Sequence, residues 1–366
     1  MCKYTGLELS QKFYSQIVAP ILNQHFPGEL YAAARIGRGS EVLGFDTDMS
    51  SDHDFGPCLQ IFLTEVTFSN ISESIMRVLD NTLPEIFEGY CVHYSDVARP
   101  PGIVQKQRGM LGSTHGVEIY TLPAWSLRFL QHDYSNGIKV QEWLHYPEQL
   151  FLSITAGAVY RDDTGELTSF RNKFSYFPQD IWLYKLAAQW ARIAEECSYV
   201  GRCGCVDDEL GSHVIATRMV GNLMHLSMLI ERKYAPYPKW FGTAFSRLEC
   251  APELSPLLEN IVHASNWKDR ETGLIESCIF LARWQIKKEI PGSISPIVVT
   301  SRNRPFRFVD SLKISESLRS AIKESAVIQF NDFGAVDQCI NSNVILAVPY
   351  YAKKAALTLL NMHLPS

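Results

Sequence analysis

The sequence predicts an α+β amino-terminal core followed by an all-helical domain. Two apolar runs of strand length, LYAAARI at 30–36 and LQIFL at 59–63, bracket a segment rich in Gly, Ser and Asp. Helical and strand patterns alternate through the first 150 residues. From about Phe177 onward the pattern is strongly helical over long runs. A chain of 366 residues has room for two domains. The expected boundaries are an amino-terminal core at 1–150, a helical domain closing a cleft at 151–300, and a small carboxy-terminal extension at 301–366.

In order, residues 7–24 carry Leu9, Phe13, Ile17 and Ile21 at helical spacing, with Pro20 set to kink or shorten the helix and Pro27-Gly28 to stop it. The strands 30–36 and 59–63 follow. Residues 70–86 read as a helix starting near Asn70 or Ser72, and 115–122 as a strand with Glu118 in its middle. Long helices are expected in PQDIWLYKLAAQWARIAEECSYV and ELGSHVIATRMVGNLMHLSMLIERKY, with two more over 256–289. Residues 291–305, rich in Pro and Ser, read as a linker or turn region. A small tail unit with FRFVD, a helix at 314–326 and a last helix near 350–362 completes the chain.

Hydrophobic residues at 46% against 20% charged exclude a disordered chain. A net charge of -5 argues against long nucleic acid as a partner. No run reaches the ~18 apolar residues of a membrane span. The start, MCKYTGLELSQKF, lacks the apolar region of a signal peptide, and nine scattered cysteines fit a reducing compartment, so a cytoplasmic protein is expected.

The chemistry concentrates in GRGSEVLGFDTDMSSDHDFGP, residues 37–57. Gly39 lets the backbone approach a phosphate, and the Ser40 hydroxyl with nearby N–H groups can donate to it. Asp52 and Asp54, two apart on a strand, would point to one face and share a cation. Without one, their like charges repel. Hard oxygen ligands suit Mg²⁺ or Mn²⁺. Glu118, between Val117 and Ile119, is the candidate third carboxylate; a solvent-facing strand residue is the other reading. Asp46 and Asp48 read as turn residues or solvated charges, and His53 as a packing or hydrogen-bonding residue. His115 is a weaker general-base candidate than a carboxylate.

The order of an apolar residue, Gly39, Ser40, a gap, then Asp52, Asp54 and Phe55 resembles the nucleotidyltransferase superfamily signature of the DNA polymerase β-like minimal core. His53 departs from it, being polar where the pattern is apolar. The resemblance implies a nucleotidyltransferase-like mixed sheet. It also implies Asp52, Asp54 and Glu118 as catalytic and metal-binding residues, and Gly39 and Ser40 on the nucleotide. The same segment, with GRCGCVDDELGSHVIATRMV and YAPYPKWFGTAFSRL, resembles an uncharacterised, mostly bacterial family. Its members join such a core to a helical domain of unknown function. The implied reaction is metal-dependent transfer of a nucleoside monophosphate from an NTP, ATP favoured, to a hydroxyl, releasing pyrophosphate; the acidic chain makes a small-molecule acceptor the expected one. A protein acceptor, in the manner of antitoxin-like enzymes, and a catalytically silent nucleotide-binding module are the alternatives.

Outside the signature, Lys239, Arg202 and Ser212 are candidate nucleotide contacts. Lys239 lies in an aromatic segment that reads as core packing or as a lip over a nucleotide. Arg202 and Ser212 flank a helix start that suits an anion or simply carries a cap and ion pairs. Lys185 and Arg192 would line a cleft or face solvent. Cys203-Gly204-Cys205 with His213 matches no common zinc module, and Cys58 and Cys91 read as ordinary buried thiols.

Overall fold

The computed structural model describes residues 3–47, 55–99, 103–107, 114–133, 137–301 and 303–360. The chain divides into two compact units. The first comprises Met1–Ile138, Gln149–Ser175 and Ala347–Tyr350; the second comprises Lys139–Glu148, Tyr176–Leu346 and Tyr351–Ser366.

The first unit opens with α1 (Gly6–Phe13), a π-helical turn (Tyr14–Val18) and α2 (Ala19–His25), in one continuous run. Pro20 does not end it. Proline has no N–H to donate and its ring crowds the preceding turn, and the wider Ala19 N–H to Tyr14 O bond relieves this. Thr5 caps α1 by accepting from the Glu8 N–H, while Asp46 accepts from the Gly6 N–H at 2.8 Å. Asp46 is therefore tied to a helix start.

Next come β1 (Ala32–Arg35), β2 (Leu59–Phe62) and α3 (Glu65–Thr82). The last starts earlier than Asn70 or Ser72, because Thr64 caps it by accepting from the Thr67 N–H at 3.2 Å. A small hairpin, β3 (Ile86–Phe87) and β4 (Tyr90–Cys91), precedes β5 (His93–Arg99), β6 (Ile103–Gln107) and β7 (Thr114–His115), which pair antiparallel about β5. β8 (Val117–Tyr120), α4 (Leu122–Leu130), α5 (Glu148–Thr155), β9 (Ala158–Asp162) and α6 (Glu166–Lys173) follow.

The main sheet has the order β8-β2-β1-β9. β1 is antiparallel to both neighbours, whereas β2 and β8 are parallel. A parallel pair needs a long crossover, and the run from α3 to β7 supplies it. Side chains alternate between the two faces. Ala33, Leu59, Ile61 and Val117 join Leu9, Phe13, Val18, Ile75 and Leu79 in a core against α1 and α3. Gln60, Phe62, Glu118 and Tyr120 take the alternate positions. There Phe62 meets Trp125 of α4 at 5.9 Å, and Trp125 meets Phe170 of α6 at 6.3 Å. β9 comes close beside β1 through Gly157 (φ +77°), where a Cβ would overlap the Arg35 carbonyl.

The second unit is mainly helical. It contains α7 (Gln179–Glu196), α8 (Tyr199–Gly204), α9 (Glu209–Ile230), α10 (Pro238–Phe245), α11 (Ala251–His263) and α12 (Trp267–Lys287). The stretch expected to be a linker or turn region holds β10 (Val298–Thr300), which pairs with β11 (Arg307–Val309) before α13 (Ser311–Ser320). α7 is buried on every side from Ile181 to Trp190, as a central helix must be. Its polar groups are answered inside. Trp182 Nε1 donates to the Leu229 carbonyl at 2.7 Å, and Trp190 Nε1 to Gln285 Oε1 at 3.0 Å. Gly204 lies where a Cβ would overlap Trp267, so the glycine between Cys203 and Cys205 is a packing requirement. No helix among the described residues is long and apolar enough to cross a membrane.

Candidate functional site

The turn at 36–45 grows out of the carboxyl end of β1. Its Gly37 (φ +94°) and Gly39 (φ +130°) have backbone angles that disfavour any other residue. The Gly37 N–H donates to the Ser153 carbonyl at 2.8 Å. Phe45 N–H closes the loop on the Ser40 carbonyl at 2.9 Å, and Gly44 N–H bonds the Glu41 carbonyl at 3.1 Å. Ser40 is half-buried.

Glu118 lies on the strand beside β2, in register with Gln60. Both residues fall on the face opposite the α1/α3 core. Gln60 ties the two halves of the candidate site together. Its Oε1 accepts from the Ile36 N–H at 3.1 Å, at the root of the turn, and its Nε2 donates to Glu118 Oε2 at 3.2 Å. The Ile36 donor fixes which way the amide must face. Glu118 is half-buried, and its neighbour Tyr120 accepts from Arg128 Nη1 at 2.8 Å. Burial first, and then the Glu118 charge, push the Tyr120 phenol up to about 12.

Asp52 and Asp54, with Asp48 and His53, lie outside the described residues. The description resumes at Phe55, which is buried and packs on Tyr90 at 5.6 Å. Among the described residues, no group of three or more His, Cys, Asp or Glu could hold a metal ion. Glu118 contributes one such donor: a half-buried carboxylate oriented by an amide, of the oxygen chemistry that Mg²⁺ or Mn²⁺ takes.

Three residues here were not singled out from the sequence. Gln60 is a buried polar residue inside an otherwise apolar strand, and that oddity was its signal. Arg35 and Glu41 form an ion pair buried behind the turn. Arg35 is legible as a charge ending an apolar run, but its partner is not.

The other predicted contacts lie in the second unit. Lys239 is exposed on α10, with its Nζ over the Trp240 ring at 4.8 Å. Arg202 is exposed on α8, over Tyr199 at 5.3 Å. Ser212 is fully buried on α9, its hydroxyl accepting from Arg270 Nε at 3.1 Å. Asp208 occupies the start of that helix, accepting from the Gly211 N–H at 2.8 Å. Tyr234 of the aromatic segment is buried against Tyr176 and Phe177 at 5.0 and 5.1 Å. Lys185 neither lines a cleft nor meets solvent. It is fully enclosed, 3.0 Å from Glu148 and 3.0 Å from Asp337.

A family model described as a domain of unknown function (DUF4037) matches residues 143–241. No curated protein matches the chain. Among solved structures, the chain is similar to a nucleotidyltransferase-like protein from Exiguobacterium sibiricum 255-15. The two share 12% identity over 77% of this chain and 75% of that one, with a TM-score of 0.29. The DUF4037 stretch contains GRCGCVDDELGSHVIATRMV and the start of YAPYPKWFGTAFSRL.

Proposed function

We propose that the chain transfers a nucleoside monophosphate from an NTP to the hydroxyl of a small-molecule acceptor. One observation carries this reading. The strand bearing Glu118 pairs in parallel with the strand that follows the Asp52/Asp54 segment, and Gln60 links Glu118 to the root of the Gly39-Ser40 turn. The Gly39-Ser40 turn and Glu118 then lie at one end of the sheet.

In this reading Gly39 and Ser40 hold the β- and γ-phosphates. The acceptor oxygen bonds to the α-phosphorus while the bond to the β-phosphate oxygen breaks, and pyrophosphate leaves. Glu118 takes the hydroxyl proton, and Gln60 keeps its carboxylate oriented. Asp52, Asp54 and Glu118 would hold Mg²⁺ or Mn²⁺, which when bound offsets the triphosphate charge. Positioning and charge stabilisation account for most of the rate. Lys239 and Arg202 are exposed on the second unit and take no part in this reading, and Ser212, enclosed there, does not suit a nucleotide contact.

The test is pyrophosphate release from each of four NTPs across a panel of sugar-derived and aminoglycoside-like alcohols. Glu118→Gln is expected to lower kcat by roughly 10²-fold or more while KM for the NTP changes far less. Equal activity in this variant would remove Glu118 from the mechanism. Labelling of a partner protein instead of any alcohol would point to the protein-acceptor alternative.

A further inference from the structure

The Gly39-Ser40 turn is built over a buried carboxylate, an awkward foundation for an anion site. Glu41 is 4% exposed and passes directly beneath Gly39, where a Cβ would overlap its carboxylate. Gly6 meets the Glu41 stem on another side in the same way. A negative charge there opposes a triphosphate held by the turn.

Arg35, 6% exposed, answers it. Its Nη2 donates both to Glu41 Oε1 and to the Arg38 carbonyl, the latter at 2.9 Å, while Nη1 reaches the Ile36 carbonyl at 3.4 Å. The guanidinium thus gathers the carboxylate and two carbonyls of the turn on one side. In a trans peptide the N–H points opposite to the C=O. With the Arg38 carbonyl turned toward Arg35, the Gly39 N–H faces away from it.

We propose that Arg35 is a positioning residue for the nucleotide. It cancels the Glu41 charge and turns the Arg38 carbonyl inward, so that the turn presents the Gly39 N–H to a triphosphate. This rests on the proposed nucleotidyl transfer. Arg35 touches no substrate; it acts through the backbone of residues 36–40 and through Glu41.

The experiment measures binding of ATP, GTP, CTP and UTP, each with Mg²⁺, to the full chain by calorimetry. The proteins are wild type, Arg35→Met, Glu41→Gln and the Arg35→Met/Glu41→Gln pair. For the NTP that wild type binds most tightly, Arg35→Met is expected to weaken affinity at least tenfold, because Glu41 is left uncompensated. Glu41→Gln, which leaves the cation in place, keeps at least wild-type affinity. The pair recovers most of the loss, although it restores no native contact. A merely structural role gives another pattern: both single variants lose affinity in step with their melting temperatures, and the pair loses more. That result, or wild-type affinity in a folded Arg35→Met, would overturn the proposal while leaving nucleotidyl transfer standing. If Arg35→Met does not fold, Glu41→Gln decides alone, and a weakened affinity there overturns the proposal. A folded wild type that binds none of the four NTPs would instead overturn the transfer reading, and this proposal with it.

Discussion

Asp54→Asn is expected to cut pyrophosphate release by roughly 10³-fold or more, about 4 kcal/mol of transition-state stabilisation, while the melting temperature holds or rises. The argument is electrostatic. Two carboxylates two residues apart repel one another, so in the absence of a cation they cost stability; removing one charge relieves the repulsion. In the proposed mechanism the same charges would hold Mg²⁺ or Mn²⁺ against a bound triphosphate. A residue kept for folding would show the reverse, a lower melting temperature with activity falling only in proportion. Unimpaired turnover in Asp54→Asn would sink the mechanism.

Lys185→Met is expected to destabilise the second unit by about 3–5 kcal/mol, the usual cost of removing one partner from a buried charge cluster. Lys185 Nζ sits 3.0 Å from Glu148 Oε1 and 3.0 Å from Asp337 Oδ1, with the lysine itself fully enclosed. His225 Nε2 also reaches Glu148 Oε1 at 3.0 Å, and the Ala235 N–H donates to Oε2 at 2.8 Å. Asp337 accepts from the Glu148 N–H at 2.7 Å. The cluster ties α7 and α9 to Glu148 and Asp337, all four within the second unit. Burial opposes the Glu148 charge, but Lys185 and then His225 outweigh it and hold the carboxyl down at about 2. An unfolded glutamate titrates near ~4.3. The stability from Glu148 is therefore complete above about pH 4.3 and is lost as pH falls toward the folded value. In Lys185→Met the balance inverts, because burial then favours the protonated acid. Urea unfolding should accordingly give the largest deficit at neutral pH and a smaller one below about pH 4. A deficit under ~1 kcal/mol at pH 7, or one that grows with acid, would contradict this account of the cluster.

The sequence carried the strands of the candidate site well, because β1 and β2 are short apolar runs bounded by turn residues, and both are fully buried. Glu118 was legible as a charge between two apolar strand residues, and its strand does lie beside β2. The long helices of the second unit were legible as long, strongly helical runs. Other features rest on non-local pairing that no local pattern encodes. β9 joins β1 from more than a hundred residues away. Lys185 breaks an apolar helix with a charge that period alone assigns to solvent; its enclosure depends on Glu148 and Asp337, each distant in sequence. Glu41 reads as a polar loop residue until Arg35 and two glycines are seen around it. The early start of α3 is a contest between caps. Thr64, Asn70 and Ser72 are all good cap types, and Thr64 prevails where strand β2 ends.

The central claim is a metal-dependent NTP site on the first unit. Its most direct test is a thermal-shift series with ATP, GTP, CTP and UTP, each with and without Mg²⁺, on wild type and on the Asp52→Asn/Asp54→Asn variant. The account predicts a Mg²⁺-dependent stabilisation by at least one NTP, about 2.7 kcal/mol at ~100 times its dissociation constant, and its loss in the variant. A folded wild type that none of the four stabilises, or a shift that the variant retains, would contradict it.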